Sequence, residues 1–526
     1  MKKDMKSIKS TLLNPENRLP IWIGALCTAL VLSGAAYSVV RISSRPEASA
    51  KENSPVVYIK ENTLTVKPLS KKAYPVSDYL TASPEEISPV VVLSETGDTI
   101  YFLESYRTDT QTGSLYASFE QKEKFPVSNY AYKKLELTDN GSSILFAEPS
   151  NSQPSTGDLF FYHKGEEKKR IAGGVQTDHF MFGQDNKHFM YLEAGNDLYL
   201  QSSSSQREKI DSDVSKPLYL TQGQNAYYTK KAEDGSDSLY YCEKGKAPKK
   251  ISDRFSGVDY IFSKENEGAY FTRNDEDSKV SLHYTGKKGS SSEIDPEVIS
   301  IVQADPKNKK ILYSKNNNPE TGLAELYYQS GSKSPVKLAD GIDAANPLVQ
   351  VSDDFKTVSY ISQTDGAGSG DLYLCSIGYK GPDTPVLVAK QVSKLSLSKD
   401  GSILAYTAAT APETQTRLFV YQAKKITQIS ENVDKSNFDL SGDGKHIAYL
   451  NSFNNDKNSG NLFIQNLADL NKEPVKIASD VNREFYLRNG GKVLYTTGTT
   501  SKQFFLWKGK KSETIDQGQI SILFEK

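Results

Sequence analysis

A leucine followed by an aromatic or other large residue recurs along most of this chain. The series is Leu115-Tyr116, Leu159-Phe160, Leu198-Tyr199, Leu239-Tyr240, Leu282-His283, Leu326-Tyr327, Leu372-Tyr373, Leu418-Phe419 and Leu462-Phe463, with Phe504-Phe505 as a degenerate tenth member. Successive leucines stand 44, 39, 41, 43, 44, 46, 46 and 44 positions apart, and the last step is 42. So even a spacing means one supersecondary unit repeated, a unit that cannot bury its apolar face without a neighbour.

Each unit reads as four short strands. A first strand such as Lys394-Leu395-Ser396-Leu397 runs into a tight turn, and a second follows, as in Ile144-Leu145-Phe146 or Ile403-Leu404-Ala405-Tyr406. A variable polar loop leads to the leucine-aromatic strand. A fourth strand, often led by lysine, closes the unit, as in Lys249-Lys250-Ile251 and Val475-Lys476-Ile477. Four strands in about 44 residues match one propeller blade. The expectation is an all-β β-propeller of about ten four-stranded blades. Ten exceeds the ~4–8 blades of most propellers, which favours two tandem rings over one large ring. Val56–Ile59 and Leu64–Val66 precede the first full unit, and Ile520–Phe524 follows the last, so these end strands are expected to combine in a shared closing blade that hides edge strands.

Residues 19–40, LPIWIGALCTALVLSGAAYSVV, carry no charge. At ~1.5 Å per residue the stretch is long enough to cross a bilayer as a helix. The segment before it holds Lys2, Lys3, Lys6, Lys9 and Arg18 against Asp4 and Glu16, which places the N-terminus in the cytoplasm. The apolar run exceeds the ~7–15 residues of a cleaved signal peptide. The domains expected are a cytoplasmic tail at 1–18, a transmembrane signal anchor at 19–40, a polar linker at 41–55 and an extracytoplasmic propeller region at 56–526. Its repeats run from about 90 to 510.

Charge is balanced, 64 basic against 65 acidic residues, so no basic field points to nucleic acid. Cys242 and Cys375 end similar strands and are expected to be reduced, half-buried residues. Gly366-Ala367-Gly368-Ser369-Gly370 has the wrong order for a nucleophile elbow, and it falls in a loop between strands. His163, His179, His188, His283 and His446 show no paired metal spacing. His163 and His283 are expected to pack like tyrosines, and His446 to face solvent. Asp234-Gly235-Ser236-Asp237 and Asn274-Asp275-Glu276-Asp277 offer oxygen ligands without the EF-hand spacing, and read as solvated turns. The lysine runs at 244–250 and 286–289 read as edge charges. Tyr106 and Tyr130 stand outside the strand ruler and are open to sugar stacking.

The stretch SGDGKHIAYL, residues 441–450, followed by Asn461-Leu462-Phe463, resembles the repeat of TolB-like β-propellers, which are in turn similar to the propellers of prolyl-oligopeptidase-type peptidases. Ser398-Lys399-Asp400-Gly401 follows the same pattern, Thr138-Asp139-Asn140-Gly141 more loosely. The tryptophan that commonly precedes the serine in that family is absent, since the chain has only Trp22 and Trp507. Because corner acids shift or disappear between units (Gly97-Asp98, Asn489-Gly490), the Asp-Gly pair reads as a hairpin corner and not a ligand site.

The resemblance implies architecture and a central channel where ligands engage. The function expected is a non-catalytic binding or scaffold protein of a bacterial cell envelope, recognising a protein, peptide or glycan, with no cofactor, no metal and no catalytic residue. The alternatives are a propeller hydrolase or lyase with converging channel residues, or a membrane sensor subunit.

Overall fold

The computed structural model describes residues 54–524, apart from 69–70, 79, 81–89, 121, 151–154, 266–267, 276–278, 287–288, 365–367, 411–414 and 499–500. The membrane segment at 19–40 lies outside the described residues. No helix among those described is long and apolar enough to cross a membrane.

The described chain is all-β and propeller-like, built from antiparallel four-stranded meanders. Ten repeats follow in order, as the leucine ruler predicts. Unit 1, for example, comprises Val91–Leu93, Thr99–Arg107, Thr112–Phe119 and Phe125–Tyr132. Three strands each serve two units: Lys169–Phe182 ends unit 2 and begins unit 3, Val386–Leu397 joins units 7 and 8, and Val475–Leu487 joins units 9 and 10. An eleventh sheet comes from both termini, in the order Tyr74–Pro75, Thr63–Lys67, Val56–Lys60, Ile520–Phe524. This is the expected closing sheet.

The ruler positions explain why the units repeat. All nine ruler leucines, and Phe504 in the tenth unit, are fully buried. The aromatic beside each lies flat against the aromatic opposite it on the second strand, so that every unit carries one stacked pair. The ten pairs run from Phe102–Tyr116 through Phe271–His283 to Tyr495–Phe505, with ring centroids 5.1 to 5.9 Å apart. Offset stacking of this kind adds ~0.5–1.5 kcal/mol per pair beyond the area it buries.

Units meet face to face. Separate buried clusters join units 1 and 2, 2 and 3, and 3 and 4. Units 4 and 5 meet through Tyr219, Tyr227 and Phe262. Further clusters continue without a gap from unit 5 to unit 10. The terminal sheet then packs on unit 10 through Val56, Tyr58, Leu494 and Phe504, and on unit 1 through Val57, Leu64, Ile100 and Phe102. The boundary expected between two tandem rings does not occur in this series, because each face that would end a ring is buried against the next unit.

First strands of neighbouring units stand side by side, stitched by side chains. The Ile301 amide donates to Asp259 at 3.2 Å, the Leu487 amide to Asp439 at 2.8 Å, and Lys394 Nζ to the Phe438 carbonyl at 2.7 Å. First strands are therefore the inner wall and fourth strands the outer rim.

A second polar device recurs between units. Tyr228 and Lys230 both reach Asp211 of the preceding unit, at 2.6 and 2.9 Å. Tyr313 and Lys315 do the same to Asp295, at 2.8 and 3.0 Å. At the chain ends Tyr58 and Lys60 grip Asp516, at 2.8 and 2.7 Å. The terminal contact thus has the chemistry of an internal one.

Candidate functional site

The corner at 441–446 shows what the Asp-Gly pair does. Ser441 Oγ donates to Asp443 at 2.6 Å and accepts the His446 amide at 2.9 Å, while Asp443 also accepts the Lys445 amide at 3.1 Å. Gly444 supplies the positive φ of 67° that the turn requires. Ser398 with Asp400, Ser352 with Asp354, and Thr138 with Asn140 repeat this arrangement. The corner acids are consumed by their own turns. The hydrogen bond from Ser398 helps hold the Asp400 carboxyl below the usual carboxylate range.

The histidines are dispersed. His163 Nδ1 meets Ser143 Oγ at 2.8 Å, and His188 Nδ1 lies 2.6 Å from Asp185 in its own corner. His179 lies on the inner wall, 2.6 Å from Asp178, whose carboxyl it holds below the usual range. Glu136 lies in the neighbouring first strand, Leu135–Leu137, and pairs with Lys134 just before it. His446 differs from expectation: burial lowers its imidazole, and it sits against Gly491 of the next corner, where an added Cβ would lie 3.0 Å from Nε2. Among the described residues no three His, Cys, Asp or Glu side chains converge to hold a metal.

His283 takes the place of an aromatic, stacked on Phe271 and bonded to Ser281 Oγ at 2.9 Å. Burial pushes its imidazole down to about 4, and the half-exposed Glu293 at 3.9 Å does not offset this. Between about pH 6.5 and pH 4 the unfolded chain therefore takes up a proton that the folded chain refuses. Stability is full above that window and falls as the pH falls through it. His283→Phe should remove the dependence, so urea-derived stabilities of the two proteins should diverge by about 2 kcal/mol between pH 7 and pH 4.5. Parallel curves would contradict the assignment.

Cys242 and Cys375 are free and buried, and burial pushes both thiols up to about 11, away from reactivity. Tyr106 is buried and closed to ligands, whereas Tyr130 is exposed. The Gly366–Gly370 stretch lies partly outside the described residues; Gly370 begins the third strand of unit 7.

What the fold assembles is a cleft of about 660 Å³ between units 4 and 5. Both acidic loops contribute, because each joins the second and third strands of its unit and so emerges at the same end. The lining includes Lys231, Asp237, Arg254, Ser256 and Asp275. Lys231 pairs with Asp237 at 3.1 Å, and Arg254 stands 3.7 Å from Asp234. Ser236 bonds Asp234 through hydroxyl and amide, at 2.6 and 3.0 Å, and holds its carboxyl below the usual range. The Asn274 amide donates to the Arg254 carbonyl at 2.9 Å, extending the ladder between the first two strands of unit 5, so that Arg254 is held where it faces Asp234 of unit 4. Such alternating charges and hydroxyls suit a polar ligand held by hydrogen bonds and charge pairs. Repeat alignment places both loops at one end, but their joining in one cleft is not visible in either loop alone. Residues 276–277 lie outside the described residues.

No family model matches the chain. Nor does any curated protein match it. Among solved structures it is similar to the tricorn protease, at 12% identity and a TM-score of 0.29, over 82% of this chain and 47% of that one. It is similar to Porphyromonas gingivalis dipeptidyl peptidase 4 at 13% identity and a TM-score of 0.35, over 89% and 66%. To TolB from Acinetobacter baumannii the values are 14% and 0.23, over 55% and 77%. The chain spans about half the length of the tricorn protease chain. The architecture rests on the sheets and clusters above.

Proposed function

We propose that this chain is a membrane-anchored binding protein of the cell envelope, with a TolB-like propeller outside the membrane and no catalytic role. Residues 19–40 serve as the anchor, with the N-terminus in the cytoplasm. The propeller is one closed circuit of eleven sheets, ten repeats and the terminal sheet. Its ligand is a protein, peptide or glycan. The observation that carries this reading is the mixed-charge cleft between units 4 and 5, whose lining offers hydrogen-bond donors and acceptors from adjacent sheets.

The test uses the full-length protein in intact cells, with a photo-crosslinking residue in place of Ser236 or Asp275. Adducts at both positions, lost when Arg254→Glu and Lys231→Glu are added, support the reading. The absence of adducts, together with turnover of a small-substrate library by the purified protein, would overturn it. Full protection of the propeller loops from protease added outside the cells would overturn the topology.

A further inference from the structure

The connections between strands sort by charge according to the end from which they emerge. Among the described residues, the connections joining second to third strands hold seven acidic residues against two basic. Those joining third to fourth strands hold fourteen basic against eight acidic, again among the described residues. Because neighbouring strands are antiparallel, these two sets lie at opposite ends of the sheets. Main-chain bonds tie the basic set to the corner end: the Lys164 amide donates to the Ser142 carbonyl, Ile377 to Lys356 and Leu467 to Lys445. The corner turns at that end are balanced, with nine acidic and nine basic residues among those described, so it stays net basic, opposite the net acidic end that holds the cleft. Fields of opposite sign on opposite faces orient a molecule near a charged surface.

The basic end is also apolar-tipped along one arc. Tyr379 is 99% exposed in the connection of unit 7, beside Lys380. Lys333 of unit 6 donates to the Tyr379 carbonyl at 3.0 Å and sits 5.6 Å over its ring, so the tyrosine is presented outward with cations on both sides. In unit 8 the exposed Lys424 and Lys425 lead into the exposed Ile426. The outer strands of units 2 and 4 begin with charge, at Lys169-Arg170 and Lys249-Lys250, and those of units 1, 6 and 9 with one exposed apolar residue, Phe125, Val336 and Val475, whereas unit 7 begins with the exposed pair Val386-Leu387. Lysines flanking exposed aromatic and aliphatic side chains are the chemistry of an interfacial lipid contact, in which cations meet phosphates and apolar tips enter the headgroup layer.

We infer that the rim of units 7 and 8, built on Tyr379, Lys380, Lys424, Lys425 and Ile426, docks on an anionic lipid bilayer. Charge complementarity selects that occupant, and the acidic face is turned away from the same surface by repulsion. Docking would leave the cleft facing away from the bilayer. The inference adds a second contact to the anchored reading proposed above. It is tested without the anchor, so its failure leaves that reading standing.

The experiment uses the fragment from residue 50 onward, which contains every described sheet and core cluster, after a cooperative melt has shown it folded. It is floated with phosphatidylcholine vesicles holding about 30% phosphatidylglycerol, and with pure phosphatidylcholine. Binding to the anionic vesicles alone, weakened at least tenfold from about 0.1 to 0.5 M salt, is expected. The triple variant Lys380→Glu, Lys424→Glu, Lys425→Glu should bind at least tenfold more weakly, and Tyr379→Ser several-fold more weakly. Glu320→Lys, on the opposite face, should bind like the parent. Absence of binding by the folded fragment, equal binding by the triple variant, or capture of inorganic polyphosphate without binding to vesicles would each overturn the inference.

Discussion

Removal of residues 519–526 is expected to abolish the single cooperative melt of the propeller and to lower its stability by on the order of 3–6 kcal/mol. The deleted strand pairs with Val56–Lys60 along the edge of the terminal sheet and places Ile520 in the cluster that joins this sheet to unit 10. Its loss exposes a sheet edge and loosens the face that covers Leu494 and Phe504. Neighbouring side chains leave the same signature at smaller scale. The buried Arg488 donates to the Ser54 and Pro55 carbonyls at 2.8 and 3.1 Å, and the buried Lys67 reaches Glu513 at 2.8 Å. Arg488→Ala strands two carbonyls and should cost about 2–3 kcal/mol. In hydrogen exchange, faster exchange should begin at residues 54–67 and 493–507 and spare units 3 to 7. An unchanged melt for the truncated protein would show that the terminal sheet closes nothing.

The second large effect belongs to Asp295. Only 4% exposed, it accepts from Tyr313 Oη at 2.8 Å and from Lys315 Nζ at 3.0 Å across the contact between units 5 and 6. Burial, reinforced by the bond to this carboxylate, pushes the Tyr313 hydroxyl far above its ordinary range. Asp295→Ala removes the carboxylate and leaves a poorly solvated ammonium and an unpaired hydroxyl, so the cost should reach about 3–5 kcal/mol. Asp295→Asn keeps an acceptor and should cost less. In a double-mutant cycle with Tyr313→Phe, chemical unfolding should show a coupling of at least about 0.5 kcal/mol. Additive losses would mean that the carboxylate serves some other partner.

The sequence makes the repeat legible because its marks are the residues the fold buries most completely. The ruler leucines are all at zero exposure, and the aromatic after each stacks on its neighbour, so packing constrains every copy alike. Corners are legible for a related reason: a turn closed by Ser441 and Asp443 is local, and its chemistry sits within six residues. The clasp at Asp295 is less visible, since its partners lie 18 and 20 positions away, and at the termini Tyr58 and Asp516 are separated by 458. Its only trace is the recurrence of Tyr-x-Lys at 58–60, 228–230 and 313–315. Ring number is a property of which faces meet, and the even spacing is the same for one circuit or two. The half-burial of His446 escapes a reading of its own unit because the glycine that receives it, Gly491, belongs to the next one. The cleft depends on the same kind of long-range registration, with Asp234 and Asp275 standing 41 positions apart in chain order and at one end of adjacent sheets.

One closed circuit of eleven sheets is the claim on which the terminal clasp, the two charged faces and the placement of the cleft all depend. Electron-microscopic class averages of the fragment from residue 50 onward, viewed along the inner wall, test it directly. A single ring of eleven radial densities is the predicted result; two separate rings, or an open arc with free ends, would contradict it.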